Sequence, residues 1–97
     1  MTPLTDSQAS QLAELFRALS DPSRVRIIDA LIEGETNVGT LAQIVGISES
    51  AVSHQLRTLR QMRLVRARKQ GREVYYALDD DHVTELFQRG LDHVRHG

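Results

Sequence analysis

The 97-residue chain contains no cysteine. That removes disulfides and every thiolate metal site, and it fits a reducing compartment without proving one. No run approaches the roughly 20 apolar residues that span a bilayer, and the opening MTPLTDSQ lacks the apolar segment of an export signal. A soluble, cytoplasmic protein with no membrane partner is expected. Acids are missing between His54 and Arg72, where Arg57, Arg60, Arg63, Arg66, Arg68, Lys69 and Arg72 make seven bases. The flanks, 1–53 and 73–97, carry all thirteen acids against five bases, so a net charge of −1 conceals a segregated basic block. Such a block reads as a phosphate-facing surface; a solvated helix face followed by an ordinary basic hairpin is the alternative. Absent too are a nucleophile–base–orienter set and the bulk to build a cleft, which argues against an enzyme and a small-molecule substrate. What remains is one domain over residues 1–97 with a small core, to which burial in a dimer would add.

The residues present are organised by helix signals first. Thr5 followed by Gln8 is a capping-box signature, and Leu12, Leu15, Phe16 and Leu19 follow at helical spacing. Asp21-Pro22 restarts the chain with a capping residue and a proline at the first helical position. Val25, Ile27, Ile28, Leu31 and Ile32 form the apolar stripe of that helix, and Gly34 stops it. Asn37 caps a short helix through Leu41, Ala42, Ile44 and Val45, closed by Gly46. Ser48 caps the next, with Val52, Leu56, Leu59 and Met62 as its inner face. Two short helices joined at Val45-Gly46-Ile47-Ser48 make a helix-turn-helix pattern; a plain helical hairpin in a small bundle is its rival. From Leu64 the period becomes that of strands. Leu64–Lys69 and Arg72–Leu78 are joined by Gln70-Gly71 as a compact hairpin, with Val74, Tyr76 and Leu78 on one face. The prediction is a mainly α winged helix-turn-helix with a β-hairpin wing.

His82, His93 and His96, three of the four histidines, fall in the last sixteen residues, with Asp80 just upstream. On one helix His82 and His93 leave the same face about 16 Å apart, too far for a single ion to reach both. Two copies lying antiparallel would bring the start of one helix against the end of the other. The spacing therefore predicts a homodimer with two symmetric intersubunit sites. Asp80 and His82 would point about 200° apart inside a helix, so Asp80 belongs at or before its N-terminus, where Asp79-Asp80-Asp81 suits the helix dipole. Asp79 or Asp81 is an alternative carboxylate. His93 and His96 are neighbours on one face, with His96 in a terminal turn prone to fraying. Three imidazoles and one carboxylate suit tetrahedral Zn(II) or Co(II), and four protein ligands leave no open position of the catalytic kind. Acids at a helix start and histidines at its end also complement the macrodipole without any metal.

The stretch Glu14 to Arg24 (ELFRALSDPSR), the run Ser48 to Leu64 (SESAVSHQLRTLRQMRL), and Lys69-Gln70-Gly71-Arg72 with Tyr75-Tyr76 resemble the ArsR/SmtB metal-sensing repressors, over about Leu12 to His96. The resemblance implies a winged-helix homodimer packed through its first and last helices, repressing metal-resistance or efflux genes until metal binds. The C-terminal pattern is similar to the zinc-sensing branch. That implies Asp80 and His82 of one subunit with His93 and His96 of the other as ligands, Zn(II) as effector and Co(II) as its substitute. It implies further that the helix from Ser48 enters the major groove of double-stranded operator DNA. Glu49, Ser50, Ser53 and His54 then face base edges, Gln55 and Arg57 face phosphates, and Lys69 and Arg72 in the wing reach flanking backbone. Glu49 is awkward there unless it accepts from a cytosine amino group, and His54 has the alternative of bonding to the neighbouring helix. A bond from the ligand at His93 toward the end of the recognition helix, near Arg63, is the implied coupling. The alternatives are a winged-helix regulator answering a different ligand or none, a small zinc hydrolase, and a plain dimerisation domain.

Overall fold

A computed structural model describes residues 2–97. Among them five helices and three strands follow in the order α1 (Asp6–Ala18), α2 (Pro22–Ile32), β1 (Thr36–Asn37), α3 (Val38–Val45), α4 (Glu49–Gln61), β2 (Val65–Gln70), β3 (Glu73–Leu78) and α5 (Asp81–His96). No helix among them is long and apolar enough to cross a membrane.

The helix starts follow the side chains that satisfy their first amides. The Thr5 hydroxyl accepts the Gln8 N–H at 3.0 Å while the Gln8 side chain accepts the Thr5 N–H at 3.0 Å. Asn37 accepts from the Thr40 amide at 2.8 Å, and Ser48 from that of Ala51 at 3.0 Å. Asp21 departs from the pattern: it stands at the N-cap of α2, but its side chain makes no capping bond. Its carboxylate lies instead 3.9 Å from Arg24 Nε, a pairing too long for a hydrogen bond. Pro22 at the first helical position removes one orphan amide and presets φ, so α2 starts without side-chain help. Gly46, left-handed at φ 79, closes α3 and turns the chain into the Ser48 cap.

The sheet order is β1-β3-β2, antiparallel throughout. β1, a two-residue strand, was not expected; Thr36 pairs with Tyr76 and Asn37 with Tyr75, so the cap of α3 is tied to the wing. The hairpin also differs from expectation by one residue. Gln70 pairs with Glu73, so the turn is Gly71-Arg72 and not Gln70-Gly71. Gly71 takes φ 62 at the first turn position, which a two-residue type II′ connection requires.

Ile27, Ile28 and Leu31 of α2, Leu41 of α3, and Val52, Leu56 and Leu59 of α4 form the core, floored by Leu64 and Val65. The terminal helices add only Ala18 and Val83. α4 ends in a Schellman arrangement: the Leu64 amide donates to Leu59 C=O at 2.9 Å and the Arg63 amide to Arg60 C=O at 3.0 Å. The left-handed residue in it is Arg63 at φ 60, where glycine is the usual occupant.

Candidate nucleic-acid interface and metal centre

Burial of Val52, Leu56 and Leu59 on one side of α4 fixes what the other side presents. Glu49, Ser50, Ser53, His54 and Arg57 are exposed there, and Gln55 is half-buried. Glu49 does not project with the others. A Cβ placed on Gly39 would lie 3.8 Å from Glu49 Oε1, so the carboxylate leans over the first turn of α3, where a negative charge is favoured. Lys69 and Arg72 are exposed beside and at the tip of the wing.

Two members of the basic block are less free than its composition implies. Arg66 Nη1 donates to Asp79 C=O at 2.9 Å. Arg68 Nε lies 3.2 and 3.1 Å from the two oxygens of Glu35, and its Nη2 2.6 Å from Oε1. The Arg68 hydrogen bond, reinforced by the Arg68 and Arg66 charges, outweighs desolvation and holds the Glu35 carboxyl below its ordinary value. The same bond pushes the Arg68 guanidinium up, against desolvation. Nothing in the sequence marks this pair, because its members are 33 residues apart.

At the start of α5 the chain brings Asp80 and His82 together. Asp80 is the N-cap; Oδ1 accepts the Val83 amide at 3.2 Å and Oδ2 lies 3.5 Å from His82 Nδ1. Desolvation pushes this carboxyl up, but the Val83 amide and then the His82 side chain outweigh it, and the net shift is downward. The His82 side chain is 90% exposed. His93 and His96 are exposed in the last turn of the same helix, with His93 about 16 Å along the axis from His82. Among the described residues no three histidine, aspartate or glutamate side chains gather where one ion could be held. One chain thus offers a two-donor half at each end of α5. Asp79 takes a backbone role, its amide donating to Leu64 C=O at 3.0 Å.

Two further features frame these halves. Arg63 lines a cavity of about 360 Å³ together with Asp80, His82, Val83 and Leu86, so the end of α4 and the Asp80–His82 pair are neighbours within one chain. An apolar groove of about 460 Å³ runs between α1 and α5, lined by Phe16, Leu19, Phe87, Leu91 and Val94 among others. Phe16 is 51% exposed and Val94 74%, high values for such side chains.

An α3–turn–α4 unit packed on the core through one side, with a polar outer face on α4 and a cationic hairpin beside it, is a winged-helix DNA-binding architecture. Comparison with known proteins makes it specific. Residues 21–67 match the family model described as bacterial regulatory protein, arsR family. The chain is 53% identical over 88 residues to the transcriptional repressor SmtB homolog of Synechocystis sp., covering 91% of this chain and 67% of that protein. It is 40% identical over 93 residues to the cadmium resistance transcriptional regulatory protein CadC homolog of Staphylococcus aureus, covering 95% and 77%. A solution NMR structure of a homodimeric winged helix-turn-helix DNA-binding domain from Mycobacterium bovis, Mb0332, superposes with a TM-score of 0.84 at 30% identity, covering 98% and 91%. The chain belongs to the ArsR/SmtB family of bacterial regulators, which are DNA-binding transcriptional regulators and not enzymes.

Proposed function

We propose that two copies of this chain bind operator DNA without metal and leave it when Zn(II), or Co(II) in its place, occupies two sites between the subunits, so that metal efflux or resistance genes are expressed. The observation that carries this reading is the division of donors along α5. Asp80 and His82 lie at one end and His93 and His96 at the other, on a helix whose apolar face its own chain covers only in part. A second copy covering the groove between α1 and α5 would bring opposite ends of two such helices together. The donors fit the metal class: imidazole and carboxylate without thiol suit Zn(II) or Co(II) better than soft ions. Bound metal would tie the two C-terminal helices.

The chain's own residues supply the rest. The Val83 amide fixes Asp80, whose second oxygen lies 3.5 Å from His82 Nδ1, so the two donors stand side by side. Arg63 beside that pair, with His93 brought from the second copy, links the donors to the end of α4. Ser50, Ser53 and His54 read base edges in the major groove, with Glu49 held near α3 as the exception. Gln55, Arg57, Lys69 and Arg72 contact phosphate.

The test is fluorescence anisotropy on DNA from upstream of the chain's own coding sequence, with and without Zn(II). A coupling of about 3 kcal/mol, the upper end of the usual range, weakens binding about 150-fold, and linkage requires DNA to weaken zinc binding by the same factor. His93→Ala should remove the zinc response and leave metal-free DNA binding within about twofold. Undiminished affinity at saturating Zn(II) would leave a DNA-binding regulator that answers to something else.

A further inference from the structure

Arg68 stands apart from the other bases of the 54–72 block. Besides its contacts with both Glu35 oxygens, its Nη1 donates to Gln70 Oε1 at 2.7 Å, and its guanidinium carbon lies 5.2 Å from the centroid of Tyr75, the residue facing it on β3. A two-pronged guanidinium–carboxylate contact fixes direction as well as charge, and packing over an aromatic ring narrows the guanidinium's freedom further. The position of Glu35 gives the contact its consequence. Glu35 immediately precedes β1, and the next residue but one, Asn37, caps α3. One side-chain cluster therefore joins the wing to the entry of the α3–α4 unit, alongside the two β1–β3 residue pairs. Lys69 and Arg72, by contrast, have no ion-pair partner among the described residues.

We propose that Arg68 and Glu35 form a clamp that sets where the wing stands relative to α4. Arg68 positions Lys69 and Arg72 on DNA phosphates and makes no phosphate contact of its own. The inference rests on the DNA-binding reading above and is independent of the metal. It assigns opposite roles to adjacent cations: Lys69 neutralises phosphate, whereas the half-exposed Arg68 is engaged by Glu35. It also makes an acid necessary for tight binding to a polyanion. Removing an acid from a DNA-facing surface ordinarily strengthens binding through the long-range field, whereas loosening a clamp weakens it.

Metal-free protein is titrated onto the same upstream DNA at salt concentrations from about 50 to 200 mM, where each neutralised phosphate contributes about −0.9 to the slope of log affinity against log salt. Glu35→Ala and Arg68→Ala should each weaken binding by about three- to tenfold with the slope unchanged, because the loosened wing still reaches phosphate through Lys69 and Arg72 but must be ordered on binding. The double variant should be no weaker than either, as expected of coupled partners. Arg68→Lys keeps the charge and loses the fork, so it should behave like Glu35→Ala. Lys69→Ala, the reference for a phosphate contact, should flatten the slope by about 0.9. Far-ultraviolet dichroism checks folding, and if Arg68→Ala does not fold, Glu35→Ala and Arg68→Lys carry the test. Tighter binding by Glu35→Ala, a silent Arg68→Lys, or a slope flattened by about 0.9 in Arg68→Ala overturns the clamp. Absence of salt-dependent binding by the unaltered protein overturns the DNA reading itself, a separate result.

Discussion

The middle and the ends of this chain are built on different terms. From α2 to β2 most apolar residues close on one another, with Val25 and Ile44 left exposed: Ile27, Ile28, Leu41, Val52 and Leu59 have no exposure at all. In α1 and α5 the helical spacing is equally regular, yet Leu12, Phe16 and Val94 remain in solvent and only Ala18 and Val83 are buried. The Cα radius of gyration, 14.4 Å, accordingly exceeds the roughly 12.5 Å of a compact chain of this length. The middle needs nothing beyond itself to present α4. The ends have amphipathic helices whose apolar faces the chain covers only in part, which is how a surface completed by a second copy looks in one protomer.

The sharpest way to break the contrast is to damage each region in turn. Leu56→Ala, at a site 1% exposed, should cost about 2–5 kcal/mol, read as a lower denaturation midpoint at fixed protein concentration. Phe16→Glu should leave the secondary structure in place and abolish self-association in sedimentation, with DNA affinity falling by roughly tenfold or more through loss of the second half-site. If Phe16→Glu unfolds the chain, the ends are part of the core after all.

Smaller effects sharpen the picture at the joint between the regions. Arg63→Gly relieves a left-handed non-glycine residue and should raise stability by about 1 kcal/mol in denaturant titrations. A loss instead would mean that the arginine side chain contributes more than its backbone costs. The smallest effect is expected at Glu35. Its pKa is lowered in the folded state, chiefly by the Arg68 hydrogen bond, so its contribution is fully present above the ordinary glutamate value of about 4.3 and is lost as pH falls through the lower folded value. The melting difference between the unaltered protein and Glu35→Gln should therefore be visible at neutral pH and vanish at strongly acid pH. A difference that persists in acid would place its origin in packing.

Local chemistry was legible in the sequence wherever one residue decides the outcome. The Thr5–Gln8 box, the Asn37 and Ser48 caps and Gly46 each satisfy a specific amide or dihedral, and the helix limits follow from them. What depends on distant partners was not. β1 is two residues, the second already extended as the cap of α3, and its pairing partner β3 lies some forty positions later. Arg63 gives no glycine or asparagine signal for its left-handed turn, because the Leu64 amide reaching Leu59 imposes it. Asp21 looked like a cap from spacing alone, yet its side chain turned to Arg24. In the candidate site, the placement of Asp80 ahead of α5 and of the two histidines at its far end was readable from the 3.6-residue repeat. The lean of Glu49 toward α3 and the occupation of Arg68 were not, since composition counts charges without showing which already have partners.

The Asp80 carboxylate divides its labour between two oxygens. One holds the first turn of α5 through Val83, and the other faces His82. An incoming ligand therefore meets an oxygen whose twin is already committed to architecture. Asparagine at this position would keep the turn wound while discharging it, letting scaffold and chemistry be separated at a single atom.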